Sequence, residues 1–108
     1  MKPHTITHAL PDPGLMVAVA DSHAAADAAA RIAADSTHWA SRADAGSDDA
    51  AEVVNCAMRA RQIAERSVHC VSSVDAWACA REAWGAVTSA LEASTRLNAA
   101  IAERLASL

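Results

Sequence analysis

The sequence predicts an all-α protein, an antiparallel up-down-up three-helix bundle behind an extended N-terminal arm. Three observations predict it. Apolar residues recur at helical spacing along most of the chain, and the last third repeats them every seven residues. Alanine supplies more than half of the 53% hydrophobic content while Phe and Tyr are absent, so the strongest helix former dominates and the aromatic content of a sheet is missing. The prolines, and Gly46, fall between the periodic segments. With 108 residues the chain supports one domain and a modest core.

Residues 1–12 read as the arm, because Pro3, Pro11 and Pro13 disfavour a helix there. The bundle domain is expected over 13–108. Asp12 suits the N-cap of the first helix and Pro13 its first position, where a missing N–H costs nothing. That helix is expected to reach about Ala43. Asp27, Arg31, Asp35, His38 and Arg42 form its charged side, and Ala25, Ala28, Ile32 and Trp39 the side opposite. The apolar residues of Leu15 to Val19 drift off that stripe, which suggests a kink near Asp21.

Gly46-Ser47-Asp48-Asp49 is a stop and restart. Gly46 is expected as a left-handed C-terminal cap, with Ser47 or Asp48 capping the second helix and the acids at the positive end of its dipole. The second helix should run to about Cys70 on a buried line of Val53, Cys56, Ala60, Ile63, Ser67 and Cys70. Ser72 or Ser73 then caps the third helix, from about Val74 to Ala106. Trp77, Trp84, Leu91, Asn98 and Leu105 stand one heptad apart in it. Val74, Ala80, Val87, Ser94, Ile101 and Leu108 interleave. This column is expected to be sealed by the other two helices, with Asn98 either fixing register inside it or solvated near its end. A neighbouring side of small residues includes Cys79, Ala86 and Ala93. Short connections make sequential helices antiparallel.

The bulky and small sides of the third helix are what touching two neighbours within the bundle calls for. Alternatively the helix outruns its partners and uses its end in an oligomer. Leu97, Ile101, Leu105 and Leu108 would then be poorly covered in a monomer, and such a patch marks a contact site. Trp77 and Trp84 read as core anchors. Trp39, beside His38, is the tryptophan expected to be partly exposed. Together these residues are the candidate partner-binding set, since Trp is enriched where partners bind most tightly.

Other chemistries find little support. A net charge of −4 with scattered cations argues against nucleic acid, which calls for a basic stripe. The apolar run Leu15 to Ala20 is too short to span a bilayer. It also lacks the cationic, proline-free approach of a secretion signal, Lys2 being its sole preceding cation. Cys56, Cys70 and Cys79 form no even-numbered framework and read as free thiols in a reducing cytoplasm. His69, Cys70 and Cys79 lack the Cys-x-x-Cys or His-x-x-x-His core of a zinc site, so neither a metal nor a cofactor is expected. No Glu-x-x-His pair, Gly-x-Ser-x-Gly elbow or Gly-rich phosphate loop is present.

Two helical families of similar size differ in their signature residues. Small WXG-type hairpins place Trp-x-Gly in the turn, whereas Trp39 and Gly46 are far apart and Tyr is absent. Helical chorismate mutases put arginines inside the bundle, whereas Arg31, Arg42, Arg59 and Arg61 read as solvated faces.

The expected function is non-enzymatic: a small interaction module of the adaptor, antidote or inhibitor type. It would act by helix packing, self-associate, and favour a basic partner through complementary charge. A bundle holding a small apolar molecule between its helices is the second reading. An enzyme using buried arginines on an anionic substrate is the third.

Overall fold

The computed structural model describes residues 12–108 and consists of three helices, each packed against both others. They are α1 (Pro13–Ala43), α2 (Ser47–Ser67) and α3 (Ser73–Ala106). The arm expected over 1–12 lies outside the described residues except for Asp12. The start of α1 faces the start of α3, since a Cβ on Gly14 would sit 3.4 Å from Ser73 Cβ. The end of α2 faces the start of α3 through Arg66 and Glu82. The bundle is therefore all-α and up-down-up.

Local signals set most of the boundaries. Asp12 is extended and its carboxylate accepts from Gly14 N–H at 2.9 Å, with Pro13 opening the helix. Ser72 Oγ accepts from Asp75 N–H at 3.2 Å and starts α3. The α1–α2 turn differs from expectation. Asp44, at φ 51°, is the left-handed C-cap, and Gly46, at φ 73°, is the N-cap of α2, with no side-chain cap bond from Ser47 or Asp48. The restart is made by backbone geometry rather than by a hydroxyl. No separate short helix forms before Asp21, because α1 runs unbroken through it; the drifting apolar residues Met16 and Val17 are exposed. The second helix stops at Ser67, three residues before Cys70, with the next segment in a turn.

The core is built mostly from alanine. Ala25, Ala29 and Ala33 of α1 meet Val53, Cys56, Ala60 and Ile63 of α2 and Ala83, Ala86, Val87, Ala90 and Ala93 of α3. Small faces let backbones approach closely, and each contact removes little area from water. Three serines, Ser22, Ser36 and Ser67, are also buried. Ser67 Oγ donates to Ala64 O, whereas Ser22 Oγ has no partner among the described residues. The line expected on α2 is the line observed, with Ala50 and Ala64 added and Cys70 only half-buried.

On α3 the expectation fails in register. The buried column is Ala76, Ala83, Ala90 and Leu97, flanked by Cys79, Ala80, Ala86, Val87 and Ala93. The column of Trp77, Trp84, Leu91, Asn98 and Leu105 is one residue further on and lies on an exposed flank. A heptad period does not distinguish adjacent columns. The face of α1 does, because its alanine and serine line admits a close small-residue column and would be wedged apart by indoles. Leu97 is likewise not poorly covered: it is 1% exposed and packs with Ala40 and Ala50. Its neighbour Ile101 is half-buried against the same cluster. Beyond it, residues 102–108 are all exposed, so α3 does outrun its partners, by about one and a half turns.

Candidate functional site

The partners of α3 reveal which side its tryptophans occupy. Arg66 of α2 donates to Glu82 at 2.6 Å, and Arg96 pairs with Asp49 at 3.3 Å and with Glu52. Glu82 and Arg96 therefore mark the flank of α3 beside α2. Trp77, Trp84 and Leu91 lie on the opposite side of the buried column, which in a three-helix bundle borders α1. The side of α1 facing α2 carries Ala26, Ala30 and Thr37, which line grooves there. Ile32 and Trp39, one heptad apart, lie on the other side of α1, toward α3. All three tryptophans thus border the same α1–α3 furrow.

Their settings differ. Trp77 and Trp84 are 37% and 38% exposed, so each is covered over more than half of its surface and open to water over the rest. They stand about 10.5 Å apart along the axis, and Leu91 continues the line by the same step. Leu91 and Leu105 are more than half exposed, and Asn98 is exposed rather than buried in a seam. Trp39 is the most exposed of the three and meets His38 edge to face, with ring centroids 5.1 Å apart. Ala40 packs with Leu97, so Trp39 lies roughly 20 Å beyond Trp84 along the bundle. The structure therefore groups Trp77, Trp84 and Leu91 into one strip and leaves Trp39 apart. Leu105 and Leu108 belong to the overhang, and Leu97 to the core.

Thr88 and Thr95 border the strip, and each donates its hydroxyl to a carbonyl one turn back, Trp84 O and Leu91 O. Their polar atoms are thereby turned to the backbone and their methyls widen the apolar edge. Arg81 is the exposed cation between the two tryptophans.

A second concavity lies between α1 and α2. Open grooves of about 630 and 240 Å³ share Val54, with Ala40 and Ala50 at one end and Asp27 and Arg61 at the other. Alanine leaves this furrow unfilled, and the sequence signal for it was the run of small residues from Ala24 to Ala34.

Cys70 and Cys79 flank one turn in the sequence, and the α2–α3 connection brings their thiols into contact. Cys70 Sγ and Cys79 Sγ are 3.9 Å apart. Arg66, which donates to Glu82 nearby, has its pKa raised by the neighbouring Cys79 and Glu82. The Cys70 thiol is pushed up by burial, by its contact with Cys79 and by Asp75, against an opposing pull from Arg66. Cys56 stands apart, accepting a 3.6 Å contact from Arg59. Among the described residues, no group of three or more His, Cys, Asp or Glu side chains is placed to hold a metal ion, and no helix is long and apolar enough to cross a membrane. No protein-family model matches the chain, and neither the curated proteins nor the solved structures contain a similar one.

Proposed function

We propose that this chain is a non-enzymatic interaction module that packs the Trp77–Trp84–Leu91 strip of α3 against another protein. One observation carries the reading. The largest apolar residues of α3 repeat every heptad along a half-exposed edge, while alanines fill the core. Leaving indoles in water forgoes burial worth about 25 cal/mol per Å², and a partner helix laid along the edge recovers it. The simplest partner is a second copy, because a heptad strip pairs with itself. The overhanging Leu105 and Leu108 extend the same line. The net charge of −4 favours a basic surface on any other partner. Free thiols suit a reducing cytoplasm.

Light scattering over a concentration series tests the reading. The 11.2 kDa chain should rise toward twice that mass, and Leu91→Arg should hold it at monomer with unchanged helicity. A wild-type chain that remains monomeric at millimolar concentration, with indole emission unmoved, rules out the self-pairing form. Equal association of wild type and Leu91→Arg removes the strip from the interface.

The furrow between α1 and α2 supports a second reading, in which a small apolar molecule lies along Val54, Ala57 and Ala30. Native mass spectrometry of protein from its host tests it, and Val54→Trp, which fills the groove, should abolish any retained mass. Absence of a retained ligand and of apolar-dye uptake sinks it.

A further inference from the structure

Two of the three thiols are already in contact. Cys79 is buried on α3, and Cys70 is half-buried in the connection after α2. Their 3.9 Å separation exceeds a disulfide bond of about 2.04 Å by less than one bond length. Residues 68–72 are turn and bend rather than helix, so Cys70 can close the gap by a small backbone adjustment while Cys79 stays fixed in α3. The ion pair of Arg66 with Glu82 lies one turn along α3 from Cys79.

We propose that Cys70 and Cys79 form a redox modification site, in which exchange with a small-molecule disulfide joins them and pins the α2–α3 connection to α3. With glutathione disulfide, the Cys70 thiolate attacks one sulfur and expels a glutathione thiolate, leaving a mixed disulfide on the more accessible cysteine. The Cys79 thiolate then attacks the Cys70 sulfur and expels the second glutathione. The two cysteine sulfurs are oxidised, glutathione disulfide is reduced to two glutathiones, and the two thiol protons end on them. Cys56 takes no part because most of α2 separates it from Cys70. The inference is independent of the docking strip.

Trypsin provides a direct readout, because Arg66 and Arg81 place both cysteines in one peptide, residues 67–81, and Cys56 in another. The intact chain is equilibrated in glutathione buffer poised at about −200 mV, alkylated after denaturation and digested. Peptide 67–81 is expected to escape alkylation, weigh two hydrogens less and carry no glutathione, while Cys56 is fully alkylated. The oxidised chain should melt about 5–15 °C higher than the reduced one, since a short loop is closed in the unfolded state. Cys56→Ala should behave as wild type. Double alkylation of peptide 67–81, a stable glutathione adduct on it, a bond to Cys56 or an unmoved melting temperature would each overturn the proposal. The wild-type map alone decides the pairing, whatever Cys79→Ala does to folding.

Discussion

Replacing Gly46 by alanine probes the tightest joint in the fold. Gly46 holds φ 73° at the start of α2, and a Cβ there would lie well inside contact distance of Leu97 Cδ1. Placing an alanine in the left-handed region costs about 1–2 kcal/mol. Leu97 is 1% exposed between Ala40 and Ala50, so it gives way only by repacking, at about 1–3 kcal/mol. The smaller entropy of the unfolded alanine chain offsets about 0.4–1 kcal/mol. The net loss is about 2–4 kcal/mol, or roughly 10–20 °C in melting temperature. Urea titration followed by circular dichroism at equilibrium measures it. Leu97→Ala alone should cost about 2–5 kcal/mol. In that background Gly46→Ala should cost only the backbone part, giving a coupling of about 1–3 kcal/mol. A loss below about 0.5 kcal/mol, within the range of an ordinary surface change, refutes the steric argument. A loss that persists undiminished in the Leu97→Ala background refutes the role of Leu97.

Four further outcomes are expected. Trp84→Ala should destabilise by about 1–2 kcal/mol, short of the 3–5 kcal/mol of a fully buried tryptophan, and denaturant midpoints will tell the two apart. Ser22→Ala should stabilise by about 1 kcal/mol, because it removes a buried hydroxyl without a partner and favours helix; a lower melting temperature would mean that Ser22 is satisfied. Arg96→Ala should lower the denaturant midpoint only slightly, since Arg96 and Glu52 are more than half exposed, and the effect should shrink in high salt. Alkylation of Cys70 should need a higher pH than an ordinary thiol. Burial, then Cys79 and Asp75, disfavour its thiolate and outweigh Arg66. The rate of iodoacetamide labelling against pH reads this directly.

How far the sequence could be read depended on the range of the interaction. Asp12 and Pro13 act within the first turn of α1 and their roles follow from identity alone, and for α3 the choice lay only between Ser72 and Ser73. The line on α2 was legible because Val53, Cys56, Ala60 and Ile63 are its only consistent apolar stripe. Gly46 was legible as a break but not as the N-cap of α2, because that assignment depends on the paired left-handed residues Asp44 and Gly46 and on Leu97 across the bundle. On α3, two adjacent columns share the heptad period. Residue size pointed to Trp77 and Trp84, whereas the partner faces selected Ala76, Ala83 and Ala90. The contact between Cys70 and Cys79 depends on how the connection after Ser67 folds back, which spacing alone does not fix.

The misplaced column and the exposed strip have one cause. The inner line of α1 is alanine and serine throughout, and those of α2 and α3 are mostly small residues. The three helices must therefore come close together to exclude water, since each small side chain fills little volume. At that separation an indole has no room on the centre line, and residues one position away are turned by about 100° toward the rim. Trp77, Trp84 and Leu91 are displaced there by the same close packing that holds the bundle together. Stability and exposure are therefore linked: enlarging Ala83 or Ala90 should spread the helices, while shrinking Trp84 should leave the fold standing and alter chiefly what the rim can bind. A chain in which Trp84→Ala unfolds the bundle while Ala83→Leu leaves it intact would place the tryptophans in the core after all.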